Sequence, residues 1–308
     1  MGGQDDYKCT LSEETKKIAK DELREDDTIR EQLLEQFRDW IKKNPLIKHC
    51  RTDSLFLLRF LRTKKFSLPI AQKLLEKYLI IRQIYPLWFQ NYTIDEPIIN
   101  DIIDTGYIVP LLKRDKYGRK VLLYNIERFD PYKYTSEHLI RTHALIMESL
   151  MDDEENQIRG YVYIINDTDI TMGHISIFSL GDLRRLIYCI QDGLPLRNKR
   201  TYIVNLPSFG LKLLEICISY LNEKLKKRFT CHKSFEELKD EIDLKSLPKE
   251  YGGETSLQEM IDSLKKTLYE KKEQIEALND LRIELSDTQH YINEIDGVTG
   301  SFRKLEVD

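Results

Sequence analysis

The 308-residue chain lacks any apolar run long enough to cross a bilayer. Its best stretch, Leu211 to Leu221, is broken by Lys212, Glu215 and Ser219, far short of the ~18 apolar residues a spanning helix needs. Cysteine is scarce. The five present, Cys9, Cys50, Cys189, Cys217 and Cys231, are scattered, odd in number and without a CxxC pair, so no disulfide framework is expected and a reduced compartment such as the cytosol is. Glycine-rich phosphate loops are missing as well: there is no GxGxxG, GxxxxGK[ST] or GxSxG, which removes dinucleotide, P-loop and α/β-hydrolase chemistry. The six histidines form no HExxH or HxxxH, and no metal site is expected. A phosphatase loop fails twice, with Phe56 and Glu237 standing where His49-Cys50 and Cys231-His232 would each need an arginine. Asn166-Asp-Thr-Asp169 offers carboxylates for a cation or a cap at a strand end, and the cap is the preferred reading. Met1 to Asp6 contains no secretory signal, and Asp6 occupies the Ser/Thr position of a myristoylation motif.

What the chain does have is charge, 32% of residues against an average near ~25%, beside 41% apolar residues. That balance excludes an integral membrane protein and a disordered chain, and fits a folded protein with long solvated helices. The net charge of -4 argues against bulk nucleic-acid binding. Its distribution says more. Pro195 to Lys233 holds nine Lys/Arg against two Asp/Glu, whereas Ser234 to Asp308 holds ten against nineteen. A basic segment inside an acidic protein points to an anionic partner met at one place.

Residues 11 to 90 read as helices only, with Ser12, Asp53 and Ser67-Leu-Pro69 as start signals and Pro45 as a stop. From Gly106 the pattern changes. Tyr107 to Leu112, the turn Asp115-Lys-Tyr-Gly118 and Lys120 to Ile126 form a β-hairpin, followed by a helix from Ser136. Gly160 to Ile165 is a continuous apolar strand, Ser179 to Gln191 a helix, Thr201 to Val204 a strand, and Phe229 to His232 a last short one. Alternating strands and helices mean an α/β fold. Asn205 to Arg228 carries its polar residues on one narrow stripe and is expected as a helix buried almost all round. Ser256 to Asp287 reads as a charged amphipathic helix with Leu257, Ile261, Leu264, Leu268, Ile275 and Leu278 along one side.

Four phrases in order, Asp53-Ser-Leu-Phe-Leu-Leu-Arg-Phe-Leu-Arg62, Asp115-Lys-Tyr-Gly-Arg-Lys-Val121, Gly193-Leu-Pro-Leu196 and Leu247-Pro-Lys-Glu-Tyr-Gly-Gly253, resemble the CRAL-TRIO lipid-transfer family, especially its tocopherol- and retinaldehyde-carrying branch. The resemblance spans roughly residues 28 to 255. It implies a helical N-terminal module (11–90), a lipid-binding domain (95–255) and a charged tail (256–308). It implies a mixed five-stranded sheet backed by helices, with an apolar cleft closed by a gate helix. The implied activity is binding of one small hydrophobic lipid and its transfer between membranes, without catalysis, metal or cofactor, by a cytoplasmic protein peripheral at membranes.

By the same resemblance the pocket is lined by Ile140, His143, Met147, Tyr161, Tyr163, Ile165, Leu186, Cys189, Ile190, Leu194 and Thr201. The gate carries Phe209, Leu213, Ile216, Cys217, Tyr220 and Leu221. Lys64, Arg197, Lys199, Lys224 and Arg228 match a phosphoinositide-binding cleft. His143 is a polar group among apolar ones and needs a partner, either the lipid head or a neighbour such as Tyr161 or Tyr163. Two other classes remain: a membrane-tethered scaffold whose acidic tail recruits a protein partner, and an enzyme using His143 with a tyrosine. The tail's apolar stripe serves the scaffold only if it does not fold back on the chain itself.

Overall fold

The structure is a computed structural model that describes residues 7–285; Met1 to Asp6 and the end of the charged tail lie outside the described residues. The chain starts with α1 (Glu13–Ile18), where the Ser12 hydroxyl accepts from the Thr15 N–H. A π-turn, Ala19–Leu23, follows and ends at Arg24 in the left-handed region (φ 67°). Asp26 caps α2 (Asp27–Lys43) and Asp53 caps α3 (Ser54–Thr63), each carboxylate accepting from the N–H three residues on. Pro69 sits in the first turn of α4 (Leu68–Ile84), where its missing N–H costs nothing. Phe37, Phe56, Phe60 and Tyr78 meet edge to face between these helices, with centroids 5.2–6.4 Å apart. Short helices α5 (Pro86–Phe89) and α6 (Pro97–Asp104) lead to the sheet.

The strands are β1 (Ile47–His49), β2 (Ile108–Pro110), β3 (Lys120–Asn125), β4 (Tyr161–Asn166), β5 (Asn198–Val204), β6 (Phe229–His232) and β7 (Arg282–Ile283). Strands β2 to β6 form a five-stranded sheet in sequence order, antiparallel at β2/β3 and parallel elsewhere. The β2–β3 turn follows from Asp115, whose carboxylate accepts from the Tyr117 and Arg119 N–H groups, and from Gly118 at φ 73°. The parallel crossovers are α7 (Ser136–Met151) with α8 (Glu154–Arg159), α9 (Met172–Ser176) with α10 (Leu180–Tyr188), and α11 (Leu211–Ser219) with α12 (Glu223–Lys226). One sheet face is covered by the turns after β6: Leu238, Ile242 and Leu247 are buried, and Tyr202 donates to Glu241. The other face meets α7, α10 and α11 across a cavity.

Three buried arginines bolt the N-terminal helices to this domain. Arg59 pairs with Glu148 (2.7 Å) and Asp152, Arg62 with Glu25 (2.7 Å) and Glu154 (2.9 Å), and Arg82 with Glu148 (3.4 Å). Burial opposes the charge on Asp152, but Arg59 and Arg51 outweigh it and hold the carboxyl below its ordinary range.

The chain differs from the sequence reading in three places. Ile47–His49, inside the stretch read as helices only, is the strand β1, which pairs with β7. Asn205 to Arg228 is not one helix: α11 ends at Ser219, and the Asn222 side chain caps α12 by accepting from the Leu225 N–H. No residue of α11 is fully buried, because one side faces solvent and the other the cavity. The tail is likewise not one continuous helix. It breaks into α13 (Leu257–Glu270) and α14 (Lys272–Glu276), a 3-10 turn and β7, which pairs with β1. The bend comes from tertiary contacts, since Lys271 donates to the Ser149 carbonyl (2.6 Å) and Arg82 to that of Leu278 (3.1 Å). All six stripe residues, Leu257, Ile261, Leu264, Leu268, Ile275 and Leu278, are buried against the chain's own core, so this face is not available to recruit a partner.

Candidate functional site: an apolar cavity beside a basic cleft

A cavity of about 350 Å³ lies between the sheet and helices α7, α10 and α11, at the small end of the ~300–1,000 Å³ of small-molecule sites. The strand pleat builds its floor. Tyr124 and Ile126, Tyr163 and Ile165, Thr201 and Ile203 alternate in register, and Phe229 pairs with Thr201. Ile140 and His143 of α7 form one wall, and Leu186 and Ile190 another. Helix α11 closes the front with Leu213, Leu214 and Cys217, one helical turn apart, and Leu221 continues that row.

The structure thus brings Ile140, His143, Tyr163, Ile165, Leu186, Ile190, Thr201, Leu213, Cys217 and Leu221 to one cavity. It places Met147, Tyr161, Cys189 and Leu194 in the core outside the lining, with the Tyr161 hydroxyl donating to the Leu150 carbonyl (3.2 Å). Ile216 and Tyr220 are half-buried outside the lining, and Phe209 is 46% exposed, beside Leu211 at 48%. With Met172 (63%) and Leu180 (51%), these leave large apolar side chains in water on α11, α9 and α10, the segments that line the cavity from outside the sheet. Gln191 ties two of those walls together: its side chain donates to the Tyr220 carbonyl (3.3 Å) and accepts from the Asn222 N–H (2.7 Å).

No Lys or Arg is among the described residues lining the cavity. His143 is paired with Tyr124 instead of Tyr161 or Tyr163: its Nδ1 is 2.7 Å from the Tyr124 hydroxyl, and its Nε2 is buried without a partner among the described residues. Burial pushes the His143 imidazole down to about 4 and the Tyr124 phenol well up. Asp167, Tyr124 and the α10 residues Leu183 and Ile187 are lining residues that the sequence reading missed. Their signal was periodicity: Asp167 continues Tyr163 and Ile165 by two, and Leu183 precedes Leu186 by one helical turn.

The five basic residues come from three stretches and meet beside the cavity. Arg197 donates to the carbonyl of Arg62, two residues before Lys64, while Arg228 donates to the carbonyl of Asn198, between Arg197 and Lys199. Burial lowers the Lys224 ammonium below its ordinary value, and Arg228, Lys65, Lys64 and Arg197 lower it further. Lys199 is depressed by burial and then by Arg197. Lys65 is an addition to the expected set, held at φ 52° next to Phe66 at φ 57°. Two carboxylates answer this cluster among the described residues: Glu22 Oε2 accepts from Arg197 and from Lys199, both at 3.0 Å, and Asp192 acts on Lys64.

A floor of parallel strands under an apolar helical wall, with a cluster of cations beside it, is the architecture of a CRAL/TRIO domain. The chain belongs to the CRAL/TRIO family of lipid-binding and transfer proteins, whose domain matches residues 104–253. Residues 26–99 match the Pinta-like UBA domain. The chain is similar to clavesin-1 of Pongo abelii, 34% identical over 79% of this chain and 69% of that one. It is similar to clavesin-2 of Homo sapiens, at 33% over 79% and 75%, and to the alpha-tocopherol transfer protein-like protein of Mus musculus, at 32% over 80% and 72%.

Proposed function

We propose that this chain holds one small hydrophobic lipid in the α7/α10/α11 cavity and passes it between membranes, docking through the cleft of Lys64, Arg197, Lys199, Lys224 and Arg228 on a phosphoinositide. The observation that carries the reading is the cavity itself: it is lined mostly by apolar groups, without a Lys or Arg among the described lining residues, and its front wall is a helix that turns Leu213, Leu214 and Cys217 into it. Enclosing a lipid-sized molecule removes on the order of 500 Å² of apolar surface from water, about 12 kcal/mol before association and ordering costs. The outward side chains Phe209, Leu211, Met172 and Leu180 suit a surface that meets a bilayer, and at ~1 kcal/mol per cation the cleft adds up to about 5 kcal/mol toward an anionic leaflet. The protein acts without catalysis or cofactor, in the cytoplasm and peripherally at membranes. The test is organic extraction of the purified protein with mass spectrometry, joined to a vesicle-to-vesicle transfer assay. A stoichiometric lipid that moves between vesicles is expected. Absence of any bound lipid, with no labelled lipid bound below micromolar concentrations, overturns the reading.

A further inference from the structure

Asp167 is the one carboxylate among the described residues that line the cavity. Its backbone N–H extends the β4–β5 ladder to the Val204 carbonyl, so the pleat that turns Tyr163 and Ile165 inward turns Asp167 inward too. The residue is buried, and its carboxylate has no hydrogen bond or ion pair among the described residues. The groups around it are Glu127 after β3, Tyr107 before β2 and Cys231 on β6, with His174 of α9 on the same cavity. None of these is a Lys or Arg. Glu127 adds a second negative charge, with its Oε2 buried and unpaired and its Oε1 taken by the Tyr251 hydroxyl. A carboxylate in such a place lacks donors, and it repels any second anion brought into the same apolar space.

We propose that Asp167 sets the charge selectivity of the cavity, favouring lipids whose polar end is an uncharged hydroxyl over lipids that end in an anion. This rests on the reading of the cavity as a lipid-carrying site. The hydroxyl supplies the donor that the carboxylate lacks. An anionic head requires Asp167 to take up a proton first. Burial, and then Glu127, hold this carboxyl up at about 7. At pH 8.5 that uptake therefore costs an anionic lipid ~30-fold in affinity, and at pH 5.5 it costs almost nothing. One consequence is that the anionic lipid met by the basic cleft and the molecule in the cavity are different species.

The experiment measures uptake of trace tritiated octadecanol, octadecyl sulfonate, retinol and retinoic acid from phosphatidylcholine vesicles by the full chain and by Asp167→Asn, at pH 8.5 and pH 5.5. The sulfonate stays ionised throughout, so its pH dependence reports on the protein. The expected result is that the wild type at pH 8.5 prefers each alcohol over its anion at least ~tenfold. Sulfonate binding should rise ~tenfold or more at pH 5.5, and Asp167→Asn should bind the sulfonate equally at both pH values. The wild-type pH comparison stands even if the variant does not fold. Sulfonate bound as well as octadecanol at pH 8.5, or a pH response that survives in Asp167→Asn, overturns the proposal while leaving the carrier reading in place. Failure of all four lipids to bind any form overturns both.

Discussion

On the proposed docking, Glu22, which accepts from Arg197 and Lys199, competes with a lipid phosphate for the same two cations, and replacing it with glutamine should make the protein bind acidic membranes more tightly. The side chain is half-exposed and accepts from Arg197 and Lys199 at 3.0 Å each. Exposed pairs of this kind contribute ~0.2–1 kcal/mol apiece, so freeing both cations removes about 1 kcal/mol of competition. The change also raises the local charge by one, which adds about 1 kcal/mol toward an anionic surface. Together these predict roughly ten- to thirty-fold tighter binding of Glu22→Gln to phosphoinositide vesicles, at ~1.4 kcal/mol per tenfold. Co-sedimentation with vesicles at near-physiological salt measures it, and the gain should shrink as salt shortens the screening length below ~8 Å. Arg197→Glu with Arg228→Glu should lose the binding that Glu22→Gln gains, with uptake of cavity lipid unchanged. Equal or weaker vesicle binding by Glu22→Gln would refute the reasoning, because a carboxylate that merely braces the cleft would give that result.

Arg59→Met leaves Glu148 and Asp152 buried with fewer cations and should cost about 3–5 kcal/mol, read as a fall in Tm of roughly 10 °C; a loss under ~1 kcal/mol would mean that the network is not the bolt described. For His143, whose folded value near 4 lies below its unfolded value of ~6.5, the unfolded chain binds more protons between these limits. Its contribution to stability should therefore fall away as pH drops from ~6.5 to ~4, and His143→Phe should flatten that part of the melting curve against pH. Asp167 runs the other way: a folded value raised to about 7 means stability present at low pH and lost as pH rises toward 7. Asp167→Asn should then gain in Tm progressively between pH ~4 and ~7 and hold level above, and a gain independent of pH would count against it. Leu264→Ala in α13 should cost about 2–4 kcal/mol in global unfolding, monitored by denaturant melts, since its side chain is fully packed; a neutral effect would show that the tail is not part of the core.

Local chemistry made the strands, the hairpin turn and the helix starts legible, because Asp53, Asp115 and Ser12 act through bonds to residues two to four positions away. The family resemblance carried the cavity floor at Tyr163, Ile165 and Thr201, and the pleat explains why they share a face. It could not say where the cavity stops along a face. Tyr161 has the same parity as Tyr163 but lies outside the lining, and Asp167, whose polarity marked it as a loop residue, lies within it. The break between α11 and α12 depended on Asn222 capping a new turn, which competes with an apolar pattern that reads continuously through it. The tail's bends are set by Ser149 and Arg82, partners more than a hundred residues away. No stretch of the tail alone contains that information.

Gln191 joins two walls of the cavity through one side chain. Its single amide holds the end of the α10 segment to the α11–α12 corner through two hydrogen bonds, whereas the arginine-bolted frame around it is held by several buried ion pairs. Swinging the front wall outward therefore breaks two bonds worth about 1 kcal/mol each, and the remaining resistance is the apolar area that α11 would expose to water. A bilayer removes that second cost by receiving the side chains. On the proposed carrier reading, the wall would stay shut in water and open against a membrane, at the microsecond-to-millisecond pace of ordinary lids. On that reading delivery would be governed by where the protein sits.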